Sequence, residues 1–334
     1  MASQVEALIK KAKKDPKRIV LPEGIEPRVL EAARILTKEG IAKVILVGKE
    51  EEIRQKAKSV SVSLDKIEVV DQESYKPRQE MIDTFYNLRK HRGVTLADAK
   101  GAVLGNRVYF AALMVRLGFA EGFVAGASHT TSNVARAALF CLGLDSEIGV
   151  MSSSFVIELK DPPYGDNGLF IFGDCGIVPD PDPKRLAGIA VSSTRLYEDF
   201  FRSKPRVALL SYSTKGSARG ESVDKVLKAL EIIRKKSPGL LVDGELQLDA
   251  AIVPEVAKIK APGSRVAGRA NILIFPNLDA GNIAYKLVQR LGDARVVGPL
   301  LQGLTKPCSD LSRGCGVEEI IDAVSATVVR AQQC

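Results

Sequence analysis

The sequence predicts an α/β protein whose helices cover mainly parallel sheets, arranged in two domains. Short apolar runs bounded by loops alternate with amphipathic helical spacing along almost the whole chain, the order that crossover connections and parallel pairing require. The 334 residues exceed what one small core absorbs. After Gly149 the composition shifts to a Ser-rich, strand-like stretch, Val150 to Leu159, which puts a domain boundary near residue 148.

Taken in order, residues 1–17 carry Val5, Leu8 and Ile9 among lysines, as a short surface helix does. Ile19-Val20-Leu21-Pro22-Glu23-Gly24 reads as a buried strand running into a loop. A helix starts at Pro27, whose fixed φ suits a first helical position, and stops at Gly40. Residues 44–48 and 67–70 are further strands. A charged helix runs from Gln79 to Arg92, Thr95 and Asp98 have capping-box spacing for the next, and Asn106 caps another that closes at Gly118. Gly122-Phe123-Val124-Ala125-Gly126 is a strand delivering Ala127-Ser128-His129-Thr130-Thr131 to a helix that bears Arg136. Open α/β sheets place ligands at such strand ends, although Ser, Thr and His there also serve simply as caps.

Beyond the boundary, residues 150–159 and 169–172 are strands around a turn at Asp161-Pro162-Pro163-Tyr164-Gly165. A buried strand at 207–210 leads into Ser211-Tyr212-Ser213-Thr214-Lys215-Gly216-Ser217-Ala218, a hydroxyl-rich loop before a helix from about Glu221. It suits phosphate but is no Walker A loop, and the absence of a G-x-G-x-x-G disfavours a nicotinamide enzyme. Asp243, Glu245 and Asp249 alternate with Leu246 and Leu248 as an edge strand does, in a structural role. Residues 271–275 form a strand, Asn277 caps a helix through Leu291, and residues 294–297 form a last strand. Then comes Lys306-Pro307-Cys308-Ser309-Asp310-Leu311-Ser312-Arg313-Gly314-Cys315-Gly316, a turn-rich segment opening an amphipathic helix with Val317, Ile320, Val324 and Val328 on one face. A hydroxyl, a guanidinium and a helix N-terminus next to Glu318 and Glu319 are the groups that acyl transfer between anionic partners needs. Singly, each has a plainer use as cap, surface charge or first-turn carboxylate.

Composition narrows the class. Hydrophobic residues at 46% and charged residues at 26% describe an ordinary soluble globular chain. No apolar run approaches a membrane span and no signal peptide is evident, so the cytoplasm is expected. The net charge of +8 is scattered, and with 11 Phe, 7 Tyr and no Trp there is no basic stripe interleaved with stacking residues. Small, multiply charged substrates fit better than nucleic acid. The five cysteines are odd in number and lack CxxC spacing, which argues against a disulfide scaffold. His91 and His129 stand far apart with no HExxH, which leaves a zinc site little support, and no spaced acidic loop suggests a hard-cation site built from carboxylates.

Read together, Ile19-Val20-Leu21-Pro22-Glu23, Leu88-Arg89-Lys90-His91, Ser128-His129-Thr130 with Arg136, the Ser213–Ala218 string, Asp243-Gly244-Glu245-Leu246-Gln247, Ala280-Gly281-Asn282-Ile283-Ala284-Tyr285-Lys286 and Asp310-Leu311-Ser312-Arg313-Gly314-Cys315 resemble the phosphate acetyltransferase (phosphotransacetylase) family in its short form. The resemblance runs in order from about Ile19 to Arg330. It implies a two-domain isocitrate/isopropylmalate dehydrogenase-like fold with an interdomain cleft. Residues 1–148 and 296–334 would form the first domain and 149–295 the second, usually in a homodimer.

The implied reaction joins acetyl-CoA and phosphate to give acetyl phosphate and CoA, with no cofactor and no metal. By the same resemblance Ser312 hydrogen-bonds the thiol and Arg313 stabilises charge on the carbonyl oxygen. Glu319 is the base, where the compared family member has Asp. Arg89 and Arg136 bind the acyl phosphate and CoA. Ser128, His129, Thr130, Ser213, Thr214, Lys215, Gly216, Ser217 and Asn282 complete the implied substrate-binding set. Cys315 at a helix N-terminus raises a covalent acyl-enzyme as a rival route. Rival functions are transfer of a longer acyl chain and acetyl-CoA sensing without turnover.

Overall fold

The apolar runs seen in the sequence are strands, and helices capped by the expected residues connect them. The computed structural model describes residues 3–160 and 164–334; the turn read at Asp161-Pro162-Pro163 lies outside the described residues. Elements in chain order are α1 (Gln4–Ala12), β1 (Arg18–Leu21), α2 (Pro27–Lys38), β2 (Lys43–Val47), α3 (Glu50–Ser59), β3 (Glu68–Val70), α4 (Arg78–Arg89), α5 (Leu96–Gly105), α6 (Arg107–Arg116), β4 (Gly122–Ala125) and α7 (Thr131–Cys141). There follow β5 (Ser152–Glu158), β6 (Leu169–Gly173), α8 (Pro183–Phe200), β7 (Val207–Leu210), α9 (Glu221–Lys236), β8 (Val242–Leu246), α10 (Leu248–Ile252), α11 (Pro254–Lys260), β9 (Ile272–Ile274), α12 (Leu278–Leu291) and β10 (Arg295–Gln302). The chain closes with β11 (Cys308–Asp310) and α13 (Val317–Ala331).

The chain divides into two units, Met1–Gly143 with Leu304–Cys334, and Leu144–Gly303. The sequence reading had put the divisions after residues 148 and 295. The later one moves because β10 pairs antiparallel with β5, from Arg295↔Glu158 to Gln302↔Ser152, which keeps that strand in the second unit. Buried Gln302 reinforces this by donating to Ser152 Oγ at 2.9 Å and accepting from Ser154 Oγ at 2.9 Å.

In the first unit the strand order is β3-β2-β1-β4-β11, all parallel. The pairings Val20↔Phe123 and Asp310↔Ala125 bring the carboxyl ends of β1, β4 and β11 to one edge. The loops after them, holding Glu23, Ser128 to Thr130 and Ser312 to Gly316, emerge there together. Helix α6 is buried from Val108 to Val115 and apolar all round, as a central core helix is. Full burial of a side chain such as Phe110 contributes about 1.5–3 kcal/mol. The capping box at Thr95 and Asp98 forms, and Asn106 Oδ1 accepts from Val108 N at 3.0 Å.

Strand β11 corrects the sequence reading, which took residues 306–315 as turns. Cys308, Ser309 and Asp310 are wholly buried and pair with β4. Ser309 and Thr327 of α13 share a hydrogen bond at 2.7 Å, which lets a polar tripeptide sit inside a core.

In the second unit the order is β10-β5-β6-β9-β7-β8, with β10, β5 and β6 antiparallel and the rest parallel. Strand β8 is at the edge, as Asp243 and Glu245 had suggested, but it ends at Leu246, and Leu248 and Asp249, read as part of the same strand, begin α10. Phe155 and Tyr285 stack at 4.3 Å in its core. Asn277 caps α12 through Ala280 N at 3.0 Å, and α12 buries only Gly281, whose missing side chain lets the helix approach the carbonyl of Asp174.

Candidate active site

Glu23 organises the edge where β1, β4 and β11 end. Its carboxylate accepts from the backbone N–H of Gly126, Ala127 (2.8 Å), Ser128 (2.7 Å) and His129 (3.0 Å), from Ser128 Oγ (3.0 Å) and from His129 Nδ1 (2.8 Å). The turn between β4 and α7 thus forms an amide nest of the kind that holds anions, already filled from within by a protein carboxylate. Burial pushes the Glu23 carboxyl up, but the hydrogen bonds from His129, Ser128 and Ala127 outweigh it and leave the group more acidic than usual. Thr130 caps α7, accepting from Asn133 N at 3.3 Å, and the His129 ring is half-buried beside it.

Arg28, in the first turn of α2, joins this turn to the loop after β11. Its Nη1 donates to the carbonyls of Arg313 at 2.9 Å and Cys315 at 2.7 Å, its Nη2 to that of Ala127 at 3.0 Å, and its Nε to Glu26 at 2.8 Å. The planar fork of a guanidinium serves these acceptors at once, which an ammonium does not do. Ser312 and Arg313 stand exposed on the loop so braced.

Asp310 ends β11 beneath that loop. It is fully buried, and neither carboxylate oxygen completes a hydrogen bond among the described residues. Burial pushes its pKa up to about 7; Thr131 and the Leu311 amide pull it down without reaching bonding geometry, and the Glu23 charge pushes it up. Gly126 makes the close packing here possible: its φ is +119°, and a β-carbon on it would lie 2.5 Å from Asp310 Oδ1.

Glu319, the expected base, sits at the third position of α13, where Oε2 accepts from Gly316 N at 2.7 Å in a capping arrangement. The other oxygen, Oε1, has no partner among the described residues. Cys315 is buried, and burial pushes its thiol up to about 11 despite the help of Arg28. The sequence had suggested a thiol activated by the helix terminus; desolvation outweighs that activation here, which weighs against the covalent route.

Arg89 closes α4 with its guanidinium carbon 3.8 Å from the centre of the Phe140 ring, a cation–π contact. Arg136 lies exposed on α7. Both lie near enough to Tyr109 of α6 to draw its hydroxyl pKa down, although burial and Cys141 leave it raised. Among the described residues Arg89, Arg136 and Arg313 have no carboxylate partner. The first unit contains Ser128, His129, Thr130, Arg89, Arg136, Ser312, Arg313 and Glu319.

The other expected residues belong to the second unit, where they bond to neighbouring groups of that unit. Ser213 Oγ donates to the buried Glu245 at 2.9 Å and Gly216 N donates to it at 2.7 Å. Thr214 N donates to Ser217 Oγ at 3.0 Å, and Lys215 pairs with Asp243 at 2.5 Å. The loop is filled by its own carboxylates, as the Glu23 turn is. Asn282 Nδ2 donates to the carbonyl of Cys175 at 3.1 Å.

Sequence reasoning passed over Glu23 and Arg28 as site residues. The one available signal was an acid and a base just beyond a buried strand, at a strand end of the kind where sites form.

The phosphate acetyl/butaryl transferase family model matches residues 3–328. A phosphate acetyltransferase of Thermoanaerobacterium thermosaccharolyticum is 48% identical over 330 residues, 99% of this chain and 100% of that one. A phosphotransacetylase structure from Streptococcus pyogenes superposes with a TM-score of 0.93 at 38% identity, covering 100% of both chains. A 4-hydroxythreonine-4-phosphate dehydrogenase from Klebsiella pneumoniae, at 14% identity and a TM-score of 0.51 over 95% of this chain and 99% of that one, shares the fold alone and bears out the dehydrogenase-like expectation. With these matches running over nearly the whole length, the chain belongs to the phosphate acetyl/butaryl transferase family.

Proposed function

We propose that this protein is a phosphate acetyltransferase, catalysing the reversible conversion of acetyl-CoA and phosphate to acetyl phosphate and CoA. The observation that carries the reading is the set of guanidinium groups without carboxylate partners, Arg89, Arg136 and Arg313, in a unit whose amide nest is already occupied by Glu23. Such a unit receives multiply charged anions through side chains, and bidentate pairing with phosphate oxygens is what arginine does best. Full-length relatives bearing the same name indicate which anions these are.

In the thioester-forming direction, Glu319 Oε1 takes the proton of the CoA thiol while the Gly316 N–H on Oε2 orients the carboxylate. Ser312 hydrogen-bonds the sulfur. The thiolate attacks the carbonyl carbon of acetyl phosphate directly, and Arg313 offsets charge on the carbonyl oxygen, a donor worth about 10²–10³-fold in rate. Arg89 and Arg136 hold the acyl phosphate and the phosphates of CoA. The arginines supply the positive charge, so no cofactor and no metal is invoked.

The protein is further proposed to act as a homodimer in the cytoplasm. Ile283, Leu287 and Leu291 form an exposed apolar stripe at i, i+4, i+8 of α12 that a second copy would cover, and five free cysteines suit a reducing compartment. Sedimentation of wild type and Leu287→Asp tests the dimer, and a wild-type monomer refutes it. For the activity, purified protein is mixed with acetyl phosphate and CoA and thioester absorbance is followed. Thioester that disappears on adding phosphate supports the reading; CoA binding without turnover would replace it with a sensing role. Running acetyl-CoA against butyryl-CoA separates acetyl transfer from longer acyl transfer.

A further inference from the structure

Acetyl transfer from phosphate to a thiol moves two protons' worth of chemistry, and the base accounts for one end only. The sulfur loses its proton to Glu319, a C–S bond forms at the carbonyl carbon, and the bond from that carbon to the phosphate oxygen breaks. The departing group leaves as HPO4²⁻ only if its bridging oxygen gains a proton, because the phosphate trianion is too basic to depart unaided. We propose that His129 is the general acid that protonates this oxygen, delivering the proton from Nε2 in a dyad with Glu23. This role presupposes the acetyltransferase reaction.

The geometry is that of an oriented imidazole. Glu23 has a side chain only 2% exposed, while that of His129 is 30% exposed, and Nδ1 lies 2.8 Å from Glu23 Oε1. A carboxylate only accepts, so the hydrogen sits on Nδ1, and the same carboxylate stabilises the imidazolium that carries a second proton on Nε2. Nε2 has no hydrogen-bond partner among the described residues. Glu23 has no need of the ring for its own satisfaction, since five other donors from residues 126–129 already meet it. The ring is therefore held by Glu23 more than it holds Glu23.

Its position suits a departing phosphate. His129 immediately precedes the capped start of α7, the helix that bears Arg136. Arg28 binds the Ala127 carbonyl with the same guanidinium that binds the Arg313 and Cys315 carbonyls, which fixes the His129 turn beside the Ser312–Arg313 loop. Arg28, Asp310 and Cys315 are the other charged or titratable groups close to Glu23. In the reverse direction the neutral ring takes the proton of HPO4²⁻ as that oxygen attacks the thioester, so one residue serves both directions.

The test uses two acyl donors with the intact protein. Acetyl phosphate needs a proton on its leaving group; acetyl methyl phosphate does not, because methyl phosphate, with a second pKa near 6, departs as a stable dianion. His129→Asn places an amide nitrogen where Nδ1 was, keeping the bond to Glu23 while removing Nε2. Its turnover with acetyl phosphate is expected to fall by roughly 10²–10⁴-fold, with most of the rate retained on acetyl methyl phosphate. The alkaline limb of the kcat profile with acetyl phosphate should also disappear. Equal losses on both donors, an intact alkaline limb, or no loss with acetyl phosphate would each overturn the assignment. His129→Gln provides a second variant should the first fold poorly. A wild-type protein inert toward both donors would instead overturn the acetyltransferase reading itself.

Discussion

Glu319 accepts the amide hydrogen of Gly316 at 2.7 Å, so the expected base also closes the first turn of its own helix. The two roles separate by substitution. Glu319→Gln still caps, since glutamine serves at that position, and should keep its melting temperature while turnover falls by roughly 10²–10⁴-fold. Glu319→Ala should lose the cap as well, on the order of 1 kcal/mol of stability. Near-normal turnover of the glutamine variant would move the base to another carboxylate, Asp310 first.

Arg28 touches no proposed substrate, yet it braces both loops of the site. Arg28→Gln should free residues 313–316, raising their amide hydrogen exchange, and lower kcat by about 10²-fold, the usual cost of an ångström of misplacement. Unchanged exchange in that segment would show that the loop is held by other means.

Asp310 ties stability to pH. Its folded pKa, about 7, exceeds the ordinary aspartate value of 3.8, so between those values the native state binds more protons than the unfolded chain. Stability therefore falls as pH rises through this window, by on the order of a few kcal/mol, and levels off above it. Glu23 acts oppositely: its lowered pKa stabilises above the ordinary carboxyl value, and that contribution disappears as pH falls through the folded pKa. Asp310→Asn imitates the protonated acid and should flatten the fall toward pH 7. Parallel wild-type and variant melting curves across the window would refute the assignment.

Cys315 should be dispensable as a nucleophile. With its thiol pushed up to about 11 it stays protonated at neutral pH, and Cys315→Ala should keep most activity. Iodoacetamide should label exposed Cys334 ahead of the four buried thiols. A folded alanine variant that is inactive and no longer takes up labelled acetyl would restore the covalent route.

Much was legible in the residues. Thr95 with Asp98, Asn106 and Asn277 announced their helices because a cap acts on amides two or three residues away, Pro27 announced its helix by a fixed φ, and the buried strands announced themselves by apolar runs. Ser312, Arg313 and Arg136 stood out from the residues themselves, whereas their roles, and Arg89, came from the family resemblance.

The sequence by itself determined the alternation of strands and helices, their caps and the chemistry available at the strand ends, since these depend on neighbours along the chain. Only the tertiary structure decided which groups were already engaged. Glu23 meets its donors 103 to 106 residues later and Arg28 meets Cys315 across 287 residues, so neither bond leaves a local trace. Strand β11 was hidden for the same reason: Cys-Ser-Asp has no strand signature, and it is buried only because β4 and α13 cover it. Desolvation, which raised Asp310 and disarmed Cys315, is a property of the packed surroundings, and those exist only once distant segments have come together.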